Sequence, residues 1–334
     1  MASQDINANG GEYVHKTVLL HESIDGLGIK PGDVYLDGTL GSAGHAVYAA
    51  TFGTPEQPVI IIGIDQDDDA LARSTQRFAQ LTQSSNGNSN FNPTKLFLIK
   101  ESYRNLDKVL DGLGIQHANR IMLDLGLSSD QFETSGRGFS FQKNEPLLMT
   151  FKSPRVESLA TEKTNSGDYV LTARDIVNTW EEENIADIIF GYGDERYSRR
   201  IARVIVESRA ERPIETTFDL VDIIKRATPT KYHHGKIHPA TKTFQALRIT
   251  VNDEIGALKD GLVKGFERLA VGGRMAIISF HSIEDRLVKN YYREQVAAGR
   301  GTILTKKPLT ACAQEVSENP RSRSAKLRII EKIQ

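Results

Sequence analysis

A chain of 334 residues, 39% hydrophobic and 25% charged, carries enough apolar material for one large or two ordinary packed domains. A formal net charge of −1 gives a polyanion no bulk attraction, so any nucleic-acid contact has to be a local basic patch. The single cysteine, Cys312, excludes an intramolecular disulfide framework and a cysteine-rich zinc site and fits a reducing, cytoplasmic setting; no apolar run approaches the ~20 residues of a membrane span.

In chain order, residues 1–14 are polar, without the apolar stretch of a signal peptide or an Arg-rich transit pattern, and are expected to be a disordered leader. HKTVLLHESIDGLGI (15–29) offers a short apolar run and a weak helix that stops at Gly28 and Pro31. In DVYLDGTLGSAGH (33–45) the β-formers Val34, Tyr35 and Leu36 end in Asp37, a glycine-spaced turn follows (Gly38, Gly41, Gly44), and AVYAATF begins a helix. VIIIGID (59–65) has the continuous apolar character of a parallel strand buried on both faces, and ends in Asp65. Residues 67–83 place Ala70, Leu71, Phe78 and Leu81 at helical spacing behind an acidic first turn, and 84–93 is a polar loop. KLFLIK (95–100) is a third strand, ESYRNLDKVLDGLG a third helix, and RIMLDLG (120–126) a fourth strand whose acid is Asp124. One strand about every 30 residues predicts a doubly wound, mostly parallel α/β sheet.

The alternation then breaks. From Ser128 to about Lys236, a loop rich in Gly, Phe and Ser (135–153) leads into the helical patterns TARDIVNTW, EEENIADIIFGYG, ERYSRRIARVIVESRA and TTFDLVDIIKRATP. This predicts a helical domain, 130–236, inserted between the sheet-forming segments 15–129 and 237–334. Residues 251–273 are expected to form one long helix ended by glycines, followed by strands at 274–282 and 325–333.

Asp37, Asp65 and Asp124 all fall at carboxyl ends of predicted strands, where open α/β sheets bind ligands. The GxxGxxG spacing is not that of dinucleotide binders, and an acid before the glycines would repel a pyrophosphate. It suits a ligand with a cationic amino-acid end, such as S-adenosylmethionine (SAM); the competing reading is a helix-leading turn and three helix-capping acids with no ligand. Asp65 stands 24 residues beyond Gly41, near the offset at which an acid grips ribose hydroxyls, and Asp37 is placed to neutralise the amino-acid end or the sulfonium. Asp124 opens DLGLSS, where an amine-directed methyltransferase would hold its acceptor nitrogen.

Two further stretches are candidates for RNA contact. His238, Lys242, Gln245, Arg248 and Asn252 recur at three- or four-residue steps on one polar helix face, which is either solvated or recognises substrate. Arg196, Arg199, Arg200 and Arg203 form a basic strip suited to a phosphate backbone. His281 closes the strand before 282 and is either a ligand contact or a helix cap. No Ser/His/Asp, HExxH or P-loop pattern is present, and no metal is expected.

With these residues in view, the chain resembles the ribosomal RNA small-subunit methyltransferase H family, the MraW proteins. The likeness runs through HKTVLLHE (15–22), DGTLGSAGH (37–45), GID (63–65), LDLGLSSDQ (123–131), RGFSF (137–141), GDERYSRRIA (193–202), HPATKTFQALRITVNDE (238–254), GGRMAIISFHSIEDRLVK (272–289) and NPRSRSAKLR (319–328). It implies a class I SAM-methyltransferase-like fold with a helical insertion that helps engage RNA. The implied reaction is methyl transfer from SAM to the exocyclic N4 of a cytidine in small-subunit rRNA, with the RNA or the assembled subunit as partner and a homodimer left open. SAM would contact Ala43, Gly44, His45, Asp65, Tyr103, Asp124 and Gln131, and Asp37 and Gly41 are counted with them as cofactor-binding. Asp124, Ser128 and Ser129 would position the target amine, and Phe139 and Phe141 would stack on an unstacked base.

Two positions depart from the family pattern. Ala43 stands where a glycine is usual, a mild change if its φ is negative. Leu148, in EPLLMTF, replaces an acid, with Thr150 and Phe151 in place of a polar pair, which admits a silent or altered relative that binds SAM and RNA as an assembly factor or methylates another nucleic acid.

Overall fold

The computed structural model describes residues 16–84, 95–127, 135–151, 170–235 and 237–334. The expected leader, Ser128, Ser129, Gln131 and Lys236 lie outside them. Among the described residues, β1 (Val34–Asp37), β2 (Ile60–Asp65), β3 (Leu96–Lys100), β4 (Ala118–Asp124), β5 (Leu269–Ser279), β6 (Gly301–Ile303) and β7 (Lys326–Lys332) form one sheet in the order β3-β2-β1-β4-β5-β7-β6. The pairs from β3 through β5 are parallel, whereas β7 runs antiparallel between β5 and β6. Strand order reverses direction at β1, so the loops after β1 and β4 leave to opposite sides and open a crevice at the carboxyl edge.

Both faces of the sheet are covered, as the apolar runs require. One face packs Tyr35, Ile61, Met122 and Ile278 against Leu19, Ile24 and Ala46; the other packs Leu36, Ile62, Leu123 and Ile277 against Leu110, Leu262 and Phe266. Neighbours along each strand alternate between these two layers because side chains in a strand have a period of two.

Two boundaries differ from expectation. The helix expected over 251–273 is two helices, Thr241–Asn252 and Glu254–Glu267, that meet at Asp253 in the left-handed region (φ 47), and β5 begins at Leu269. Leu269 pairs with Ala118 before a register shift, and Gly272 takes φ 76, so the glycines shape an irregular strand start and do not end a helix. The short edge strand Gly301–Ile303 has no apolar periodicity to announce it; it forms because Ile330, Glu331 and Lys332 of β7 offer it a ladder.

The helices Ala173–Thr179, Glu182–Gly193, Ser198–Glu211 and Thr217–Ala227 form a separate hydrophobic cluster with Phe139, Leu147 and Met149. That cluster continues past 236 to take in Ala240, Phe244, Ala246 and Leu247, so helix Thr241–Asn252 is shared between the helical unit and the sheet unit. Two of the helices open with capping boxes, Thr172 with Asp175 and Thr216 with Asp219. No helix among the described residues is long and apolar enough to cross a membrane.

Arg137 bolts the two units together. Its guanidinium donates to the Asp67 carboxylate just beyond β2 (2.8 Å) and to the carbonyls of Thr150 (3.3 Å) and Phe151 (2.9 Å), with both ionised side chains buried. Removing one partner strands the other charge out of water, so Arg137→Ala is expected to cost about 3–5 kcal/mol in urea unfolding. Asp67→Ala combined with Arg137→Ala should cost less than the sum of the single changes.

Candidate active site

The cleft is built from the turn after β1. Asp37, 1% exposed, accepts from the Thr39 amide (3.1 Å) and from the Tyr35 hydroxyl (3.1 Å), which turns the chain sharply at the strand end. The loop is then stitched to both neighbouring strands: Gly38 N–H donates to Met122 O (2.9 Å), Leu40 N–H to Ile64 O (3.0 Å), and Thr39 Oγ1 accepts the Asp124 amide (2.6 Å). Gly41, at φ 52, donates its N–H to the Asp65 carboxylate (2.8 Å). Glycine is required at 38 and 44, where a Cβ would lie 2.4 Å from Leu123 Cδ2 and 1.8 Å from Thr17 Oγ1.

The resulting cleft runs from Asp65, Gln66 and Glu101 beyond β2 and β3, past the glycine turn, to Asp124, Leu125 and Phe280 beyond β4 and β5. Gly41, Gly44, His45, Asp65, Tyr103 and Asp124, expected at a cofactor, all line it. Two others do not. Asp37 sits beneath the turn and shapes it, so neutralising a ligand's amino-acid end is not its task. Ala43 is fully buried with φ 59, against the negative φ expected; an L-residue there carries left-handed strain of about 1–2 kcal/mol.

Electrostatically the cleft is acidic. Burial raises the pKa of Asp65, and raises that of Asp124, where the charges of Asp37 and Glu284 add to it. Asp124 Oδ2 stands 4.0 Å from His45 Nδ1, while Oδ1 is buried without a hydrogen-bond partner. An orphaned carboxylate oxygen in an acid-lined cleft calls for a ligand that brings donors and positive charge.

Several cleft residues had no role in the sequence reading. Glu254 and Glu284 line it from the helix Glu254–Glu267 and the helix Ser282–Ala297, Thr17 and Val18 from the first described segment, Phe151 from the loop before the helical unit, and Asn319 and Arg321 from the segment before β7. All but Phe151 belong to the sequence blocks that carry the family resemblance, which was the available signal. Glu254, His281 and Glu284 bring ligand-type atoms within 4.8 Å of one another. Glu254 is held bidentately by Arg248 (2.8 and 2.9 Å), and His281 caps its helix by accepting the Glu284 amide at Nδ1 (3.4 Å).

The polar helix face is largely turned inward. Arg248 is buried against Glu254, Gln245 donates to Tyr192 O (2.8 Å), Lys242 to Asp194 O (2.6 Å), and Asn252 holds Met149 O and the Phe151 amide. A phosphate-binding role for Arg248 is therefore corrected: its guanidinium is consumed inside the fold. Phe139 is 5% exposed and belongs to the helical core, so its ring has no face to offer a base. Phe141 is partly buried and stacks on His238 at 4.5 Å. The four arginines are exposed; Arg199 pairs with Asp187 (3.1 Å) and Arg203 with Glu182 (3.8 Å), while Arg196 lies over the Tyr197 and Tyr232 rings. Leu148 is buried, with its carbonyl accepting the Ala173 amide (2.9 Å), so an apolar residue is what this position packs.

A doubly wound sheet with a glycine turn and acids at the tips of β1, β2 and β4, over an acid-lined cleft, defines a SAM-dependent methyltransferase. The model of the MraW methylase family matches residues 12–333, and the chain belongs to that family. Relatives include the ribosomal RNA small subunit methyltransferase H of Deinococcus radiodurans, 43% identical over 96% of this chain and 90% of that one. The protein of the same name from Geotalea daltonii is 40% identical over 96% of this chain and 99% of its own.

Asp37 gives a pH test. Burial, with a contribution from Asp65, pushes its carboxyl up to about 7 against the hydrogen bonds from Thr39 and Tyr35. An unfolded Asp titrates near about 3.9, so the unfolded chain releases this proton first and the group's contribution to stability falls as pH rises from about 4 to 7. Asp37→Asn should remove that slope: relative to the variant, the native protein is expected to lose on the order of 2 kcal/mol between pH 5 and pH 8, read by chemical unfolding at each pH.

Proposed function

We propose that this protein transfers the methyl group of SAM to the exocyclic N4 amino group of a cytidine in small-subunit ribosomal RNA, a reaction that belongs in the cytoplasm with that substrate. The observation that carries the reading is Asp124: a cleft carboxylate with an unpartnered oxygen, at the strand tip of a chain matched end to end by a methylase family. The shared name of the relatives supplies the substrate class.

SAM, when bound, supplies a methyl group already activated by its sulfonium. Asp65, Gln66 and Glu101 would take the ribose and adenine side, and the glycine turn with His45 the amino-acid side. What remains for the chain is alignment, since an in-line displacement gains chiefly from positioning. Cytosine's amino nitrogen is a poor nucleophile because its lone pair is delocalised into the ring. Asp124 Oδ1 can accept an amino hydrogen and localise that pair. The base must leave its stack, at a cost of a few kcal/mol, and Phe151 at the cleft wall offers an apolar surface to offset it.

The division of labour assigns the cofactor to the sheet unit and RNA to the exposed face of the helical unit. Arg196 and Arg200 make no ion pair among the described residues and carry that face.

The test is transfer from labelled SAM to purified small subunits lacking the modification, followed by nucleoside mass spectrometry. Label in N4-methylcytidine is expected; no transfer, or label in another nucleoside, overturns the reading. Asp124→Ala should lower kcat on the order of 100-fold or more. Arg196→Glu with Arg200→Glu should weaken RNA binding roughly 10-fold or more at low salt and leave SAM affinity unchanged in calorimetry.

A further inference from the structure

The antiparallel last strand delivers a side chain to the cleft from a place the parallel strands cannot reach. Lys326, the first residue of β7, pairs with Ser279, the last of β5. The residues just before β7 therefore lie over the carboxyl edge, on the β4–β5 side of the cleft. The short 3-10 turn Pro320–Ser324 occupies this place and presents Arg321 to the cleft.

That turn is anchored. Ser322 is fully buried and donates to Asn319 O (2.8 Å); Asn319 donates to Lys16 O (3.0 Å); Glu315 accepts the Leu19 amide (2.8 Å). The first described segment and the segment before β7 thus form one wall, and its Thr17 packs against Gly44 of the glycine turn.

The charge of the cleft gives this wall a task. Among the described residues its acidic and basic lining is Asp65, Glu101, Asp124, Glu254 and Glu284, with His45 and Arg321. SAM carries a sulfonium, an ammonium and one carboxylate. The acids suit the two cations and repel the carboxylate. His45 is 4% exposed, its Nε2 lying 3.1 Å from Val18 O and its Nδ1 facing Asp124 at 4.0 Å. Among the described residues lining the cleft, Arg321 is the one guanidinium or ammonium. It stands at the end away from Asp65 and Glu101, which take the adenosine.

We infer that Arg321 binds the carboxylate of the cofactor's amino-acid end and so selects for an intact amino acid on the sulfur. The inference rests on the SAM reading above and adds a determinant of cofactor recognition. A guanidinium matches a carboxylate with paired donors, and such a charge-assisted contact contributes enough to alter affinity roughly 10- to 100-fold.

The test compares two ligands on two proteins by calorimetry, with no turnover required. The ligands are S-adenosylhomocysteine and its decarboxylated analogue, which keeps the adenosine, thioether and amine. Arg321→Met is expected to weaken S-adenosylhomocysteine roughly 10- to 100-fold and to leave the analogue within about twofold of the native protein, with Arg321→Lys in between. Equal weakening of both ligands would make Arg321 a merely structural part of the wall and overturn the inference. Unchanged affinity for S-adenosylhomocysteine would overturn it too, assigning the carboxylate to backbone amides of the glycine turn. A native protein that bound neither ligand would refute the SAM assignment itself, and the role of Arg321 with it.

Discussion

The hydrogen bond from the Gly41 amide to the Asp65 carboxylate, 2.8 Å long, ties the tip of β1 to the tip of β2, and the site depends on it. A chain leaving a parallel strand would ordinarily rise straight into its helix. Here the turn is pulled sideways toward β2, while Gly38 and Thr39 hold its other flank to β4. The floor of the cleft is this short length of backbone, fastened on both sides. Glycine at 38 and 44 lets it lie close to Leu123 and Thr17, and glycine at 41 takes the left-handed φ of 52 without strain.

Around that floor the fold concentrates negative charge to a degree that the ligand-free protein does not need. Asp37 is pushed up to about 7 by burial, and Asp65 and Asp124 are also raised. Placing carboxylates in a low-dielectric cleft costs stability unless a cation arrives. A sulfonium cofactor is such a cation, and its charge would favour the ionised carboxylates that burial disfavours. On the far wall Arg248 pairs with Glu254, and Glu284 lies against His281, while the charge of Glu284 still reaches Asp124.

The helical unit is joined to this floor through the shared helix Thr241–Asn252 and through polar links. Arg137 reaches Asp67, and Asn252 grips the backbone of Met149 and Phe151. These links fix Phe151 at the cleft wall, which brings a ring from the helical side against the cofactor site. The left-handed backbone at Asp253 makes the corner between the two helices that serve the two units.

Much of this was legible in the chain alone. The apolar run at 59–64 and the apolar triplet at 121–123 name buried parallel strands, because a strand covered on both faces favours them, and the acids and glycines that follow mark the cleft edge. Local periodicity also separates the helical insertion from the sheet. It could not show which polar residues face inward: Arg248 and Phe139 have the residue types of RNA contacts, and their burial follows from helices that arrive from distant parts of the sequence. Nor could spacing reveal that β7 runs antiparallel and so brings Arg321, just before it, over a cleft whose strand-tip acids Asp65 and Asp124 come from the first half of the chain. The sequence by itself determined β1 to β5 and β7, the turn and the acids, since these are written in local pattern; tertiary structure decided the edge strand β6 and which charges meet, since those depend on strand order and direction, which local pattern does not encode.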